Sequence, residues 1–154
     1  MVSKVIVYAG VIILFLSFAI YPETKTIIWS GTGSATQSVI LNKTVKNKET
    51  LSKLIYSFKH VRYGSIVDTG SFVLNTQEEV NQLLIDLKDA IEKTGVEHKI
   101  VWKRAKYALS AGGNAPLKKG HFKIEIDKMF CPIHKKDAKK LIKVLEPEIH
   151  TFEK

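Results

Sequence analysis

Cysteine is almost missing from this chain: Cys131 stands alone among 154 residues, so no intrachain disulfide can form. A folded domain must then be held by its core, and the lone thiol reads as a small buried hydrophobe near a strand end. Arginine is nearly as scarce, with Arg62 and Arg104 against 22 lysines. That imbalance speaks against sequence-specific nucleic-acid binding, where arginine's bidentate fork is the preferred reader. No serine sits in a nucleophile-elbow motif and no pair of acids stands out as a catalytic couple. Ser30-Gly31-Thr32-Gly33-Ser34 lacks the Gly-Lys-Ser/Thr ending of a phosphate loop and reads as a flexible turn. No cofactor is implied. A metal set built on His121, Cys131 and His134 lacks a fourth ligand and straddles a proline, so scattered histidines are the simpler reading.

One stretch lacks charge altogether. Residues 5–21 (VIVYAGVIILFLSFAIY) are apolar throughout, bounded by Lys4 in front and Pro22-Glu23-Thr24-Lys25 behind. As a helix the run is about 25 Å long at roughly 1.5 Å per residue. Its 17 residues sit at the low end of the roughly 17–25 needed to cross a bilayer core of about 30 Å. Tyr8 and Tyr21 fall near its ends, where aromatic rings favour the headgroup layer. The expectation is a signal anchor over 5–21 behind a short cytoplasmic 1–4, making a single-pass membrane protein. The alternative is a cleaved signal, with Ser17-Phe18-Ala19 as a small-x-small site and a secreted or periplasmic product. Lys4 and the α-amino group place the N-terminus in the cytoplasm and the C-terminal domain outside. Lys43, Lys46, Lys48, Lys53, Lys59 and Arg62 pull the other way.

Behind the run, 133 residues suffice for one compact domain. Residues 22–50 read as a linker with short strands at 26–29 and 37–41, followed by a polar 42–50 that is a loop or a helix start. The domain proper spans 51–150, with a tail over 151–154. Strands are expected at 53–62 and 65–74, the first with helical spacing as an alternative. Thr76 and Glu79 then form a capping box ahead of Val80, Leu83, Leu84, Leu87 and Ile91, and Gly95 is the expected C′ stop. The exposed side of this helix carries Glu78, Glu79, Asp86, Asp89 and Glu92. A second unit repeats the order: a strand over 98–109, a breaker-rich loop over 111–116, and a strand over 121–130 stopped by Cys131-Pro132. Its helix buries Ala138, Leu141, Ile142 and Leu145 and ends before Pro147. Setting Phe72 on Phe130 aligns the two helices position by position. The predicted fold is therefore α+β: a transmembrane helix, then a two-layer sandwich with two helices on one face of an antiparallel sheet, a possible ββα-ββα pseudo-repeat.

Charge is the remaining functional signal. Residues 66–98 hold two lysines against seven carboxylates, whereas residues 99–143 hold thirteen basic residues against three. Lys135, Lys136, Lys139, Lys140 and Lys143 crowd the polar side of the second helix, with Lys118 and Lys119 in the loop before the last strand. The bland reading is a solvated face beside an acidic neighbour. The sharper one is a binding surface for an anionic polymer, lipid headgroups or an acidic protein. The first functional reading is a membrane-anchored, non-enzymatic binding protein. Its rivals are a hydrolase-like enzyme with an unrecognised site around Trp102, His121 and His134, or a membrane-associated immunity or exclusion factor. Trp102, Arg104 and Tyr107 also suggest a ligand platform on one strand, though packing explains them more cheaply.

Overall fold

The computed structural model describes residues 22–31, 35–62, 66–113, 120–127 and 129–154. The apolar run 5–21 lies outside these residues, and among the described residues no helix is long and apolar enough to cross a membrane. The fold is α+β, with two antiparallel four-stranded sheets and two helices. The first sheet is a meander of β1 (Glu23–Gly31), β2 (Ala35–Lys46), β3 (Glu49–Arg62) and β4 (Ile66–Leu74), followed by α1 (Gln77–Glu92). The second is β5 (Ile100–Lys103), β6 (Ala108–Ala111), β7 (His121–Ile126) and β8 (Met129–His134), followed by α2 (Lys135–Leu145) and a 3-10 turn over Glu146–Thr151.

The expected single sheet is thus replaced by two, and the expected ββα order by ββββα twice. In the first sheet the added strands are the two expected at 26–29 and 37–41, longer than expected; in the second, each comes from an unforeseen turn. Residues 42–50 are neither loop nor helix: β2 runs on to Lys46, and Asn47 and Lys48 adopt left-handed φ values of 52° and 69°. That is the two-residue hairpin geometry whose twist matches the flanking strands. Residues 98–109 are not one strand, because Arg104 N–H donates to Tyr107 O at 2.9 Å and folds the chain back on itself. Residues 121–130 likewise split, with Asp127 at φ 56° turning β7 into β8. Cys131 and Pro132 then lie inside β8 instead of stopping a strand. Pro132 is tolerated because β8 is an edge strand, where a missing N–H breaks no ladder.

The helices form as their sequence signals require. Thr76 Oγ1 accepts from Glu79 N–H while the Glu79 carboxylate accepts from the Thr76 N–H, closing the capping box. Gly95 does not serve as C′: Lys93 is the cap, and Gly95 falls two residues later without left-handed backbone. α2 buries the four expected side chains and ends at Leu145, ahead of Pro147. The pairs Val80/Ala138, Leu83/Leu141, Leu84/Ile142 and Leu87/Leu145 are all buried. The alignment fails one step earlier. Phe72 is buried and Phe130 is half exposed, because β8 runs straight into its helix with His134 as both last strand residue and N-cap.

The two halves share one core. α1 follows the first sheet yet packs on β6 and β7, while α2 follows the second sheet yet packs on β1. A ladder of rings, Trp29–Tyr56–Phe72–Tyr107, runs between them with centroids 6.2, 5.2 and 4.9 Å apart. Its last step, from Phe72 of β4 to Tyr107 in the β5–β6 turn, crosses from one half to the other, and stacked aromatic pairs add to their area burial. Polar links reinforce it. Trp29 Nε1–H donates to Asp137 O at 3.0 Å, Tyr56 Oη donates to Gln37 Oε1, and Gln37 Nε2 donates to Pro132 O at 2.9 Å. The C-terminus closes the other end, with Glu153 O accepting from Gln77 N–H at 2.7 Å.

Candidate binding surface

α2 owes its start to His134, whose Nδ1 accepts from the Lys136 N–H at 3.1 Å and so satisfies one of the donors a helix N-terminus leaves free. From there the 3.6-residue period places Ala138, Leu141, Ile142 and Leu145 in the core, and Lys135, Lys136, Lys139, Lys140 and Lys143 in solvent. Lys140 Nζ lies 3.3 Å from Asp137. The other four have no carboxylate partner among the described residues. Lys118 and Lys119 lie outside the described residues.

Whether this face is merely balanced by an acidic neighbour depends on where the carboxylates of α1 go. Asp86, expected on the exposed side of α1, is instead fully buried. Arg104 grips it with a fork, Nε to Oδ2 at 2.8 Å and Nη2 to Oδ1, while Tyr107 Oη donates at 2.9 Å and Gln82 Nε2 at 2.9 Å. Burial pushes the Asp86 carboxyl up, but these donors outweigh it and hold the group below its ordinary value. The same surroundings raise the Tyr107 hydroxyl, through burial first and the adjacent Asp86 charge second. Glu79 is bound by Lys106, which also donates to Val73 O at 2.8 Å. Burial works against Glu79 ionising, yet Lys106 and the Asn75 N–H bring its carboxyl down as well. Lys88 meets Glu146 at 2.7 Å, and Lys43 meets Glu148 at 2.7 Å. The acids that face basic side chains are therefore engaged by the β5–β6 turn, by α1 itself and by β2. The α2 lysines are left out of that exchange.

The other sequence candidates separate in space. Strand alternation puts Cys131 in the core and His134 on the opposite face of β8. His121 and His134 pair across β7 and β8 with rings 4.8 Å apart, and Cys131 cannot join them. Among the described residues no group of three possible metal ligands gathers. Burial pushes the Cys131 thiol up to about 12, so it stays protonated at neutral pH. Trp102 packs against the core in the row of Leu109, Ile124 and Cys131, away from both histidines. Trp102, Arg104 and Tyr107 do not share one strand: the first is in β5 and the other two belong to the turn after it.

Cavities open at two places among the described residues, the Arg104 turn, which has a second hollow of about 290 Å³ toward Glu125, and the β2–β3 turn. One of about 190 Å³ sits beside the Arg104 turn, lined by Leu74, Glu78, Gln82 and Lys106 among others; ligand sites usually take roughly 300–1,000 Å³. A wider one of about 730 Å³ lies between the β2–β3 turn and the C-terminus, with Lys46, Glu49, His150, Glu153 and Lys154 at its wall. Each of those five is exposed, unlike the desolvated ionisable groups that mark active sites.

The class defined by these features is an α+β protein of two interlocked four-strand meanders with a basic helix on its surface. No family model, curated protein or solved structure matches this chain.

Proposed function

We propose that this is a non-enzymatic binding protein, held at a membrane by a helix over 5–21 and using the lysine face of α2 to hold an anionic polymer or acidic protein. The observation that carries this reading is the division of charge. Asp86, Glu79, Glu146 and Glu148 pair with Arg104, Lys106, Lys88 and Lys43, while Lys135, Lys136, Lys139 and Lys143 project unpaired from one helix side. Uncompensated like charge on a rigid helix attracts polyanions and steers them at long range, an effect that salt screens. Lysines act there as point charges, which suits a repetitive anionic ligand over a single forked phosphate.

The test uses the full-length protein in neutral nanodiscs titrated with polyglutamate. Binding is expected to weaken steeply from low to physiological salt, and the K136E/K139E/K140E/K143E variant should lose it. Unchanged binding by that variant would sink the proposal.

The membrane address has its own test. The chain should stay in the membrane fraction through an alkaline carbonate wash, with Met1 or Val2 as its N-terminus and the C-terminal domain accessible to protease from outside. An N-terminus at Ile20 would mean cleavage after Ala19 and a released domain instead.

A further inference from the structure

The first sheet has one face in the core and one that no described element covers. Register aligns residues of one kind across that open face. Ile27 pairs with Ile40, Ile40 with Ile55, and Ile55 with Val73, a single apolar row spanning all four strands. Ile27 at its β1 end is 65% exposed and Val73 at its β4 end 36%. The next row on the same face is all serine, Ser30–Ser38–Ser57–Ser71, with Ser38 and Ser57 hydroxyls 2.9 Å apart. Beyond these rows the face carries Lys25, Lys46, Lys53 and Lys59 against Glu23 and Glu49. A flat sheet normally presents polar residues to water at such positions, so a continuous β-branched row implies an occupant.

We infer that this open face lies on the anionic leaflet from which the chain emerges, with the isoleucine–valine row seated among the headgroups and the lysines on lipid phosphates. The inference rests on the anchor reading above. If 5–21 spans the bilayer, Pro22 alone separates it from β1, the edge strand of this same sheet. Pro22 O also accepts from Val45 N–H at 3.3 Å, which fixes the entry point to the sheet's end. With so short a tether the sheet cannot leave the bilayer surface. Apolar side chains seated at the interface and lysines on anionic lipid act together there. A second copy is a poorer occupant. The apolar row, about 15 Å long across four strands and one side chain (about 7 Å) deep, covers on the order of 100 Å², far short of the roughly 800 Å² per partner that a stable interface buries. Sheet docking also leaves the α2 lysines facing water, because α2 packs on the core side of β1.

The experiment places an environment-sensitive fluorophore on I27C, V73C or, as reference, K139C in the full-length protein. Cys131, being buried, stays in place. In vesicles of phosphatidylcholine and phosphatidylglycerol, labels at 27 and 73 should emit to the blue and be quenched by headgroup-region spin-labelled lipid, while the label at 139 should not. K25E/K53E/K59E should reverse this without releasing the chain in carbonate. Labels at 27 and 73 that stay in water on a carbonate-resistant chain would overturn the docking and leave the anchor standing. Release by carbonate would overturn both. Self-quenching at position 27 that rises with the protein-to-lipid ratio would overturn the docking in favour of a second copy.

Discussion

Replacing Arg104 with alanine is expected to cost the fold about 3 kcal/mol, because it strands the Asp86 carboxylate inside the protein. Breaking a buried ion pair from one side usually costs roughly 3–5 kcal/mol. The lower figure applies because Asp86 is fully buried while the Arg104 side chain is 37% exposed, so water can reach part of the vacated site. Tyr107 and Gln82 remain as donors but supply no charge. Urea unfolding would measure the loss as a shift in midpoint at constant slope. A companion variant, Asp86→Leu with Arg104→Met and Tyr107→Phe, should recover most of it, since a buried polar cluster replaced as a whole by apolar groups is often neutral or better. A loss below about 1 kcal/mol for Arg104→Ala would place this pair with ordinary surface bridges and refute the account.

The same pair sets a pH window. Asp86 and Glu79 both have folded-state values below their ordinary ones. A depressed carboxyl binds its proton less readily when folded than when unfolded, so it adds stability above the unfolded value near 4 and loses it as pH falls through the folded value. Between pH 5 and 8 these two groups make no slope, and below pH 4 they pull the midpoint down. Arg104→Ala should flatten that acid limb, because without the guanidinium Asp86 no longer favours the charged form.

The helices were legible in the sequence and the turns were not, for a physical reason in each case. The Thr76–Glu79 box and the spacing of Val80, Leu83, Leu84 and Leu87 are local, and local terms decide where a helix starts and which side it buries. The turns depend on partners distant in sequence. Nothing adjacent to Arg104 announces that the chain reverses there; the reversal is stabilised by Asp86, eighteen residues earlier on α1. Pro132 looked like a stop because its edge position depends on the order of strands. Asp86 did carry a signal. It stands three residues after Leu83 and four before Ala90, on the buried arc of α1, and an acid there requires a cationic partner. The basic face of α2 was readable from spacing alone, but that Asp86 and Glu79 of α1 are held by Arg104 and Lys106 and not by α2 emerges only from the fold.

Trp29→Ala should cost about 3–5 kcal/mol, the usual range for truncating a buried large aromatic, and its effect should reach both halves of the protein. Trp29 belongs to β1, stacks on Tyr56 of β3 and donates to Asp137 O of α2. Removing it opens a cavity under α2 and leaves that carbonyl without its donor. α2 closes the first sheet and α1 closes the second, so neither meander keeps a covered core once the exchange of helices fails. Trp102, the one other tryptophan, lies in the second half and reports on it directly. In Trp29→Ala its emission should shift at the same lowered urea midpoint as the far-ultraviolet circular dichroism. Trp29→Phe keeps most of the ring and loses only the hydrogen bond, at about 1 kcal/mol plus a smaller packing term. Two separate midpoints in Trp29→Ala, with Trp102 reporting the later one, would mean that each half folds by itself and that the swapped helices are not what joins them.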